Sequence, residues 1–333
     1  MGNTLNPHQV HGITLNLLEI SREVEDDADG TAINDLALVV LKETYKAELW
    51  PDQKASSIEE TATVQKKVLS FLKIQDKWTA LGSILLKSQA FHITQNSQDG
   101  DRIMAILPRT EHRKPYIPTD KKGLNNNMHS LSISHQFPFV GAFLLDNTGV
   151  DTQRMVGLDI VTFDEYNKRL YSNEDEFLDV FRDSFTKQEW TAINAMEQHR
   201  LKEFFVRWAT KEAYTKALGV GLGFEFNSFD IQFKSFENGE LINTGLWNLI
   251  CSMTDGVYLS ATINGGMNVQ GNSLEVWEFF FLPLTSRRAE TATSGCSCAC
   301  LGPFGSLTSE PRMKVNIGWT KLDSLLKWHR DES

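Results

Sequence analysis

Glu203-Phe204-Phe205-Val206-Arg207-Trp208-Ala209-Thr210-Lys211-Glu212-Ala213-Tyr214-Thr215-Lys216-Ala217-Leu218-Gly219-Val220-Gly221-Leu222-Gly223-Phe224 is the stretch on which the reading of this chain turns. Phe204, Phe205, Trp208, Ala209, Ala213 and Leu218 recur at helical spacing, and no proline interrupts them. Gly219 follows the last apolar residue, where a left-handed residue ends a helix at least cost. The spacing therefore predicts a helix ending near Leu218. On it Glu212 stands one turn after Trp208 and one turn before Lys216, so a carboxylate, an ammonium and an aromatic ring share a face. Taken alone, such a stretch is an amphipathic core helix with a solvated ion pair, worth a few tenths of a kcal/mol.

Two further stretches change its weight. Val156-Gly157-Leu158-Asp159-Ile160-Val161 is an apolar run with one acid in its middle, which a half-buried strand carries only if a partner or a cation answers the charge. Leu131-Ser132-Ile133-Ser134-His135-Gln136 alternates like a strand and ends in polar groups. Ser-His-Gln, Gly-Leu-Asp and Trp-Ala-Thr-Lys-Glu-Ala-Tyr-Thr-Lys, in that order and at these separations, resemble the signature of the 4'-phosphopantetheinyl transferases. The likeness is to the two-lobed type, in its eukaryotic, aminoadipate-semialdehyde dehydrogenase branch. It spans Lys66 to Phe233.

Length and composition agree with two lobes. The 333 residues can bury a sizeable core, and 41% hydrophobic with 23% charged residues is the balance of a water-soluble globular chain. A formal charge of -10 opposes general nucleic-acid binding, which needs a broad basic face. No apolar run approaches a membrane span, and Met1-Gly2-Asn3-Thr4-Leu5-Asn6 lacks the order of a secretory signal. Asn6 stands where myristoylation of Gly2 asks for Ser or Thr. Four cysteines, three of them crowded at Cys296, Cys298 and Cys300, make no disulfide framework, and the expected compartment is the reducing cytoplasm.

In chain order, Val10 to Ile20 reads as a strand, acid-rich Arg22 to Gly30 as a solvated loop, and Asp35 to Trp50 as a helix closed by Pro51. Ser57-Ile58-Glu59-Glu60 has the capping-box pattern of a helix running towards Leu72, and another helix spans Asp76 to Phe91. Together they place Lys66, Lys67, Lys73 and Lys77 in one region, as an exposed face or as a contact to phosphate. Pro108 to Pro118 is too proline-rich for a helix and reads as an ordered, cationic loop. Asp120 to Asn127 reads as a polar connection, and Phe139 to Leu145 as a return strand. In the second half, Glu174 to Phe185 and Thr186 to Met196 read as helices. Phe177, Val180, Phe181 and Phe185 share a face, and Thr186-Lys187-Gln188-Glu189 is a second capping box. Strands are expected at Ser228 to Phe233, Trp247 to Ser252, Tyr258 to Ile263 and Leu274 to Leu282. Thr285 to Pro311, rich in small residues, reads as a linker in which the cysteines form a mobile tail, and Lys314 to Trp328 as a short strand and helix. The fold class is thus α+β. The expected domains are an N-terminal lobe over 1–148, a C-terminal lobe with the metal site over 149–284, and a flexible linker with a C-terminal extension over 285–333. The resemblance adds that the lobes are similar, in pseudo-twofold arrangement, with the active site at their interface.

The resemblance also implies a reaction. A carrier-protein serine attacks the β-phosphorus of coenzyme A, the phosphopantetheine arm moves to it, and 3',5'-ADP leaves. Phosphoryl transfer needs charge placement more than covalent work. By resemblance Asp159 and Glu212 are ligands of Mg²⁺, whose preference is for hard oxygen donors. Many bacterial members have a second acid where this chain has Val161, and Gln136 is expected to take the missing position, its bland reading being a surface amide. Glu212 would also accept the serine proton, and Lys216 would neutralise the diphosphate. Lys211, about 100° round the helix from Glu212, is expected to meet solvent or phosphate, and Trp208 to pack. Ser134 and His135 would meet the 3'-phosphate of coenzyme A, with Arg113, Lys114 and Lys66 adding charge, although a histidine at a strand end is as often structural. The partners implied are apo acyl and peptidyl carrier domains, among them an aminoadipate reductase of lysine biosynthesis, served by a monomer. The competing readings are a coenzyme A-binding protein without turnover, for which Val161 is the argument, and a metal-dependent phosphohydrolase. Gly219-Val220-Gly221-Leu222-Gly223 follows a helix instead of opening one, so it is a stop and turn and not a dinucleotide fingerprint.

Overall fold

The structure, a computed structural model, describes residues 10–43, 64–95, 107, 109–110, 114–118, 128–147, 154–164, 166, 170–265, 275–286 and 294–330. Arg113, the Ser57 capping box, the Asp120 to Asn127 connection and the cysteine-free part of the expected linker up to residue 293 lie outside them, apart from Thr285 and Ser286. The chain is mixed α and β and clusters into two compact units. The first is chiefly Thr14–Gln153 with Asn316–Ser333, and the second chiefly Arg154–Arg287 with Ala292–Val315.

In the first unit, strand β1 (Val10–Glu19) leads into helices α1 (Ser21–Asp26) and α2 (Thr31–Glu43), a short helix α3 over 64–69, and the long helix α4 (Ile74–Gln95). Strands β2 (Tyr116–Pro118), β3 (Met128–Gln136) and β4 (Phe139–Leu145) follow. The β3 and β4 strands form a hairpin, with Ser134 opposite Gly141 and Gln136 opposite Phe139. Leu81, Leu85 and Leu86 of α4 share a core with Leu131, Val140 and Leu144, which holds the helix against the sheet. The solvated loop expected over Arg22 to Gly30 is instead α1 and a built turn. Asp27 is buried, and its carboxylate accepts from Ala32 N at 2.9 Å, Ile33 N at 3.0 Å and Trp78 Nε1 at 3.1 Å. An acid in a charge run thus caps α2 and ties it to α4. The cationic loop likewise ends in a strand, Tyr116–Pro118, against β3.

The second unit begins with β5 (Met155–Thr162), then α5 (Glu174–Asp179), α6 (Lys187–Asn194) and α7 (Arg200–Leu218). Strands β6 (Asp230–Ser235) and β7 (Leu241–Ile242), helix α8 (Leu246–Cys251), and strands β8 (Val257–Asn264), β9 (Val276–Thr285) and β10 (Ser294–Phe304) complete its sheet, ordered β5-β10-β9-β8-β6-β7. After it come β11 (Met313–Thr320), an edge strand of the other sheet, which is ordered β11-β1-β4-β3-β2, and α9 (Leu322–Arg330).

Three expectations fail in this unit. Ser294–Phe304 is no linker but a strand paired on both sides, with Cys298 opposite Asp159 on one flank and Phe281 on the other. Cys296, Cys298 and Cys300 are fully buried, and burial pushes the Cys298 thiol well up, so these thiols pack as small apolar groups. Trp247 to Ser252 is helical, because the Glu203 carboxylate, 44 positions earlier, accepts from Trp247 N at 2.8 Å and satisfies the opening turn. Val180 is exposed, whereas Phe177, Phe181 and Phe185 join Phe204 in an aromatic core with centroid separations of 5.7, 5.1 and 5.5 Å. Among the described residues no helix is long and apolar enough to cross a membrane.

Candidate functional site

The helix predicted from Glu203 onward is α7, and its end is built as the sequence requires. Gly219 takes φ 80°, and Gly219 N and Val220 N donate to the carbonyls of Lys216 and Thr215, which is a Schellman stop. Gly157 brings the helix down onto β5. A Cβ at that position would lie 1.8 Å from the Ala213 carbonyl oxygen, so no other residue permits this contact. Asp159, two residues on along the same strand face, is thereby set beside Glu212 and Lys216, which precede Ala213 and Ala217.

At this point three charged groups converge. Lys216 Nζ donates to Asp159 Oδ1 at 2.5 Å, Asp159 being buried and Lys216 half-buried. Burial first, and then the negative charge of Asp159, push the Glu212 carboxyl up to about 7, while Lys216 opposes the shift. Two carboxyl groups thus face one ammonium, and negative charge accumulates here as pH rises through the Glu212 value. A carboxyl that titrates near 7 is suited to accept a proton at that pH. The pair also offers the hard oxygens that a small divalent cation takes, since Mg²⁺ is commonly held by one or two carboxylates with waters and substrate phosphates. Among the described residues no group of three or more His, Cys, Asp and Glu side chains gathers to hold a metal by itself. Val161, two residues after Asp159, is core and lies opposite Cys296.

The remaining expected residues lie on the first unit. Ser134 is buried, His135 exposed and Gln136 half-buried at the end of β3. Lys66 is exposed on α3. Lys114 is half-buried beside the Arg109–Pro115 bridge, its carbonyl accepting from Thr110 N at 2.8 Å. Lys87, which sequence reading passed over, is pushed down to about 8, first by burial and then by Arg109 and Lys67, so cations from three segments share a neighbourhood.

Lys211 corrects its expectation most sharply. It meets neither solvent nor phosphate; it is fully buried, and its ammonium reaches Glu189 Oε2 at 3.0 Å and the carbonyls of Phe226 and Phe229 at 2.6 Å each. Glu189 is the acid of the capping box that opens α6, where it also accepts from Thr186 N at 3.0 Å. Burial lowers the pKa of Lys211 and raises that of Glu189, and the Phe229 ring lies 4.0 Å from the ammonium. Trp208 packs as expected, edge-on to Phe181 at 5.2 Å.

Comparison with known proteins falls on the same stretch. The family model of the 4'-phosphopantetheinyl transferase superfamily matches residues 155–258. An L-aminoadipate-semialdehyde dehydrogenase-phosphopantetheinyl transferase of Xenopus laevis is 32% identical over 145 residues, 42% of this chain and 44% of that protein. A phosphopantetheinyl transferase of a Thraustochytrium species is 36% identical over 124 residues, 35% of this chain and 39% of that protein. A holo-[acyl-carrier-protein] synthase of Bacillus cereus is 36% identical over 88 residues, 26% of this chain and 71% of that protein. The match thus spans less than half of the first two relatives and most of the third.

Proposed function

We propose that this chain, which belongs to the 4'-phosphopantetheinyl transferase superfamily, moves the 4'-phosphopantetheine arm of coenzyme A onto a serine hydroxyl of apo carrier domains and releases 3',5'-ADP. The observation that carries the reading is Glu212, a carboxyl at about 7 beside the Asp159–Lys216 pair. Glu212 accepts the serine proton, directly or through one water, as the oxygen forms its bond to phosphorus. Lys216, released from Asp159 when the diphosphate arrives, faces the charge that gathers on the leaving ADP. Asp159 and Glu212 would hold Mg²⁺, with Gln136 as a third donor, and the ion supplies Lewis-acid neutralisation of the diphosphate. Ser134, His135, Lys66, Arg113 and Lys114 would receive the nucleotide end of coenzyme A, the cationic setting of Lys87 and Arg109 supporting that polarity on the same unit.

The finer fold reading belongs to the same proposal: two similar lobes in pseudo-twofold arrangement with the reaction at their interface. Its support is that each unit by itself backs a sheet with one long helix, α4 in the first and α7 in the second. The relatives' names point to an aminoadipate-semialdehyde dehydrogenase as one carrier-bearing target, and hence to lysine biosynthesis, carried out by a cytoplasmic monomer. The test is incubation of the full chain with coenzyme A, Mg²⁺ and a panel of apo carrier domains. A phosphopantetheine mass gain on the carrier with equimolar 3',5'-ADP is the expected result. Coenzyme A binding without mass gain, or its cleavage without an acceptor, would replace the reading with a binding protein or a hydrolase.

A further inference from the structure

We propose that the spacing of the reactive groups is set by two residues that touch none of the reactants: Gly157, which lets α7 settle on β5, and Lys211, which holds the helix there from another face. The contacts of Gly157 fall on the positions next to the chemistry. A Cβ there would meet Ala213 O at 1.8 Å, Ala213 C at 2.8 Å and Ala217 N at 2.8 Å, and these residues directly follow Glu212 and Lys216. The obstacles are backbone atoms of a helix, which cannot rotate away as a side chain can. A methyl group at 157 must therefore lift α7 by about an ångström, and that stretches a 2.5 Å contact between Lys216 and Asp159 beyond good hydrogen-bond distance.

Settling alone would leave the helix free to slide, and Lys211 prevents it. Its three N–H groups are matched by three oxygens, on α6 and on the segment that follows α7. Because Glu189 is also committed to Thr186, the anchor is itself fixed to the start of α6. The lysine beside the base is thus a positioning residue, although in the sequence it looks as catalytic as Lys216.

The proposal concerns the site of the function inferred above, and it rests on that reading for its kinetic consequence alone. Its test is a double-mutant cycle between Asp159→Asn and Lys216→Met, read by urea unfolding of the full chain, in wild type, Gly157→Ala and Lys211→Met. Gly82→Ala serves as control, since its added methyl meets the Leu18 side chain at 2.9 Å in the first unit. The Asp159–Lys216 coupling is expected to fall at least threefold in Gly157→Ala and Lys211→Met and to stay unchanged in Gly82→Ala. Full coupling in Gly157→Ala overturns the proposal; if that variant does not fold, full coupling in Lys211→Met does so. In parallel, carrier modification should slow at least tenfold in both variants, with the KM for the carrier unchanged. Should wild type modify no carrier while the couplings behave as stated, the positioning stands and the assigned reaction falls.

Discussion

Two lysine–carboxylate pairs sit five residues apart on α7, and their surroundings give them opposite tasks. Lys211 and Glu189 are buried, each with further partners, and the ammonium has no donor left to offer. Lys216 and Asp159 are in closer contact, but Lys216 is 30% exposed and a second acid, Glu212, stands beside them. A closed pair that is fully satisfied fixes a helix, whereas an open pair with surplus charge can exchange one partner for a ligand. Each sets a lysine of α7 against a buried carboxylate from another element; accessibility separates them.

The largest expected effects break the open site. Asp159→Ala and Glu212→Ala should abolish measurable carrier modification while the far-UV circular dichroism stays that of wild type. Glu212→Gln, which keeps the shape and removes the base, should lower the rate about 10²- to 10⁴-fold. A near-normal rate in any of the three would remove the chemical half of the comparison. Next comes the closed pair. Lys211→Met leaves Glu189 buried without its cation and should cost roughly 3–5 kcal/mol in urea unfolding. Lys211→Met combined with Glu189→Gln should recover part of that loss, because the stranded charge is gone. A loss below about 1 kcal/mol would mean that the buried pair is no anchor.

How far this was legible in the sequence follows from what each residue depends on. The α7 helix, its Gly219 stop, the β5 strand and the Thr186 capping box rest on contacts within one turn or one strand, and spacing alone reveals them. Asp159 stands out because an acid in an apolar run asks for an explanation, and Glu212 because it stands one turn from both Trp208 and Lys216 within a stretch that resembles a family signature. Lys211 was misplaced because its partners lie on α6 and after α7, and helical periodicity says nothing about what covers a face. The β10 strand was lost for a related reason: a strand buried on both faces shows no alternation, and a run of Ser, Gly, Cys and Ala imitates a linker. Glu203 and Asp27 illustrate the same limit, each being a buried acid with a distant partner: the start of α8 for Glu203 and the Trp78 ring nitrogen for Asp27.

The surplus charge at the open site makes a smaller, pH-dependent prediction. The folded chain holds the Glu212 carboxyl at about 7 against an ordinary 4.5, so the native state binds a proton that the unfolded state has released. The resulting stabilisation is complete below about pH 4.5, is lost as pH rises towards 7, and is absent above it. In EDTA the urea midpoint should therefore decline across that window, and Glu212→Gln should show a shallower decline over the same range. Equal slopes for the two proteins would place the titration elsewhere.

The smallest effect is also the one that sharpens the contrast most. Lys216→Met removes an ammonium whose side chain is 30% exposed, and the screened, partly hydrated pair it leaves should cost roughly 1–2 kcal/mol in EDTA, less than Lys211→Met. Removing that cation takes a positive charge from between Asp159 and Glu212, so the two acids attract a divalent ion more strongly than in wild type. Millimolar Mg²⁺ should consequently restore the urea midpoint of Lys216→Met while its carrier modification remains slow, because the ion replaces the charge at Asp159 but not the cation that faces the leaving group. The same Mg²⁺ should do nothing for Lys211→Met, whose vacancy is sealed from solvent. If Mg²⁺ rescues both variants or neither, accessibility is not what separates the two lysines.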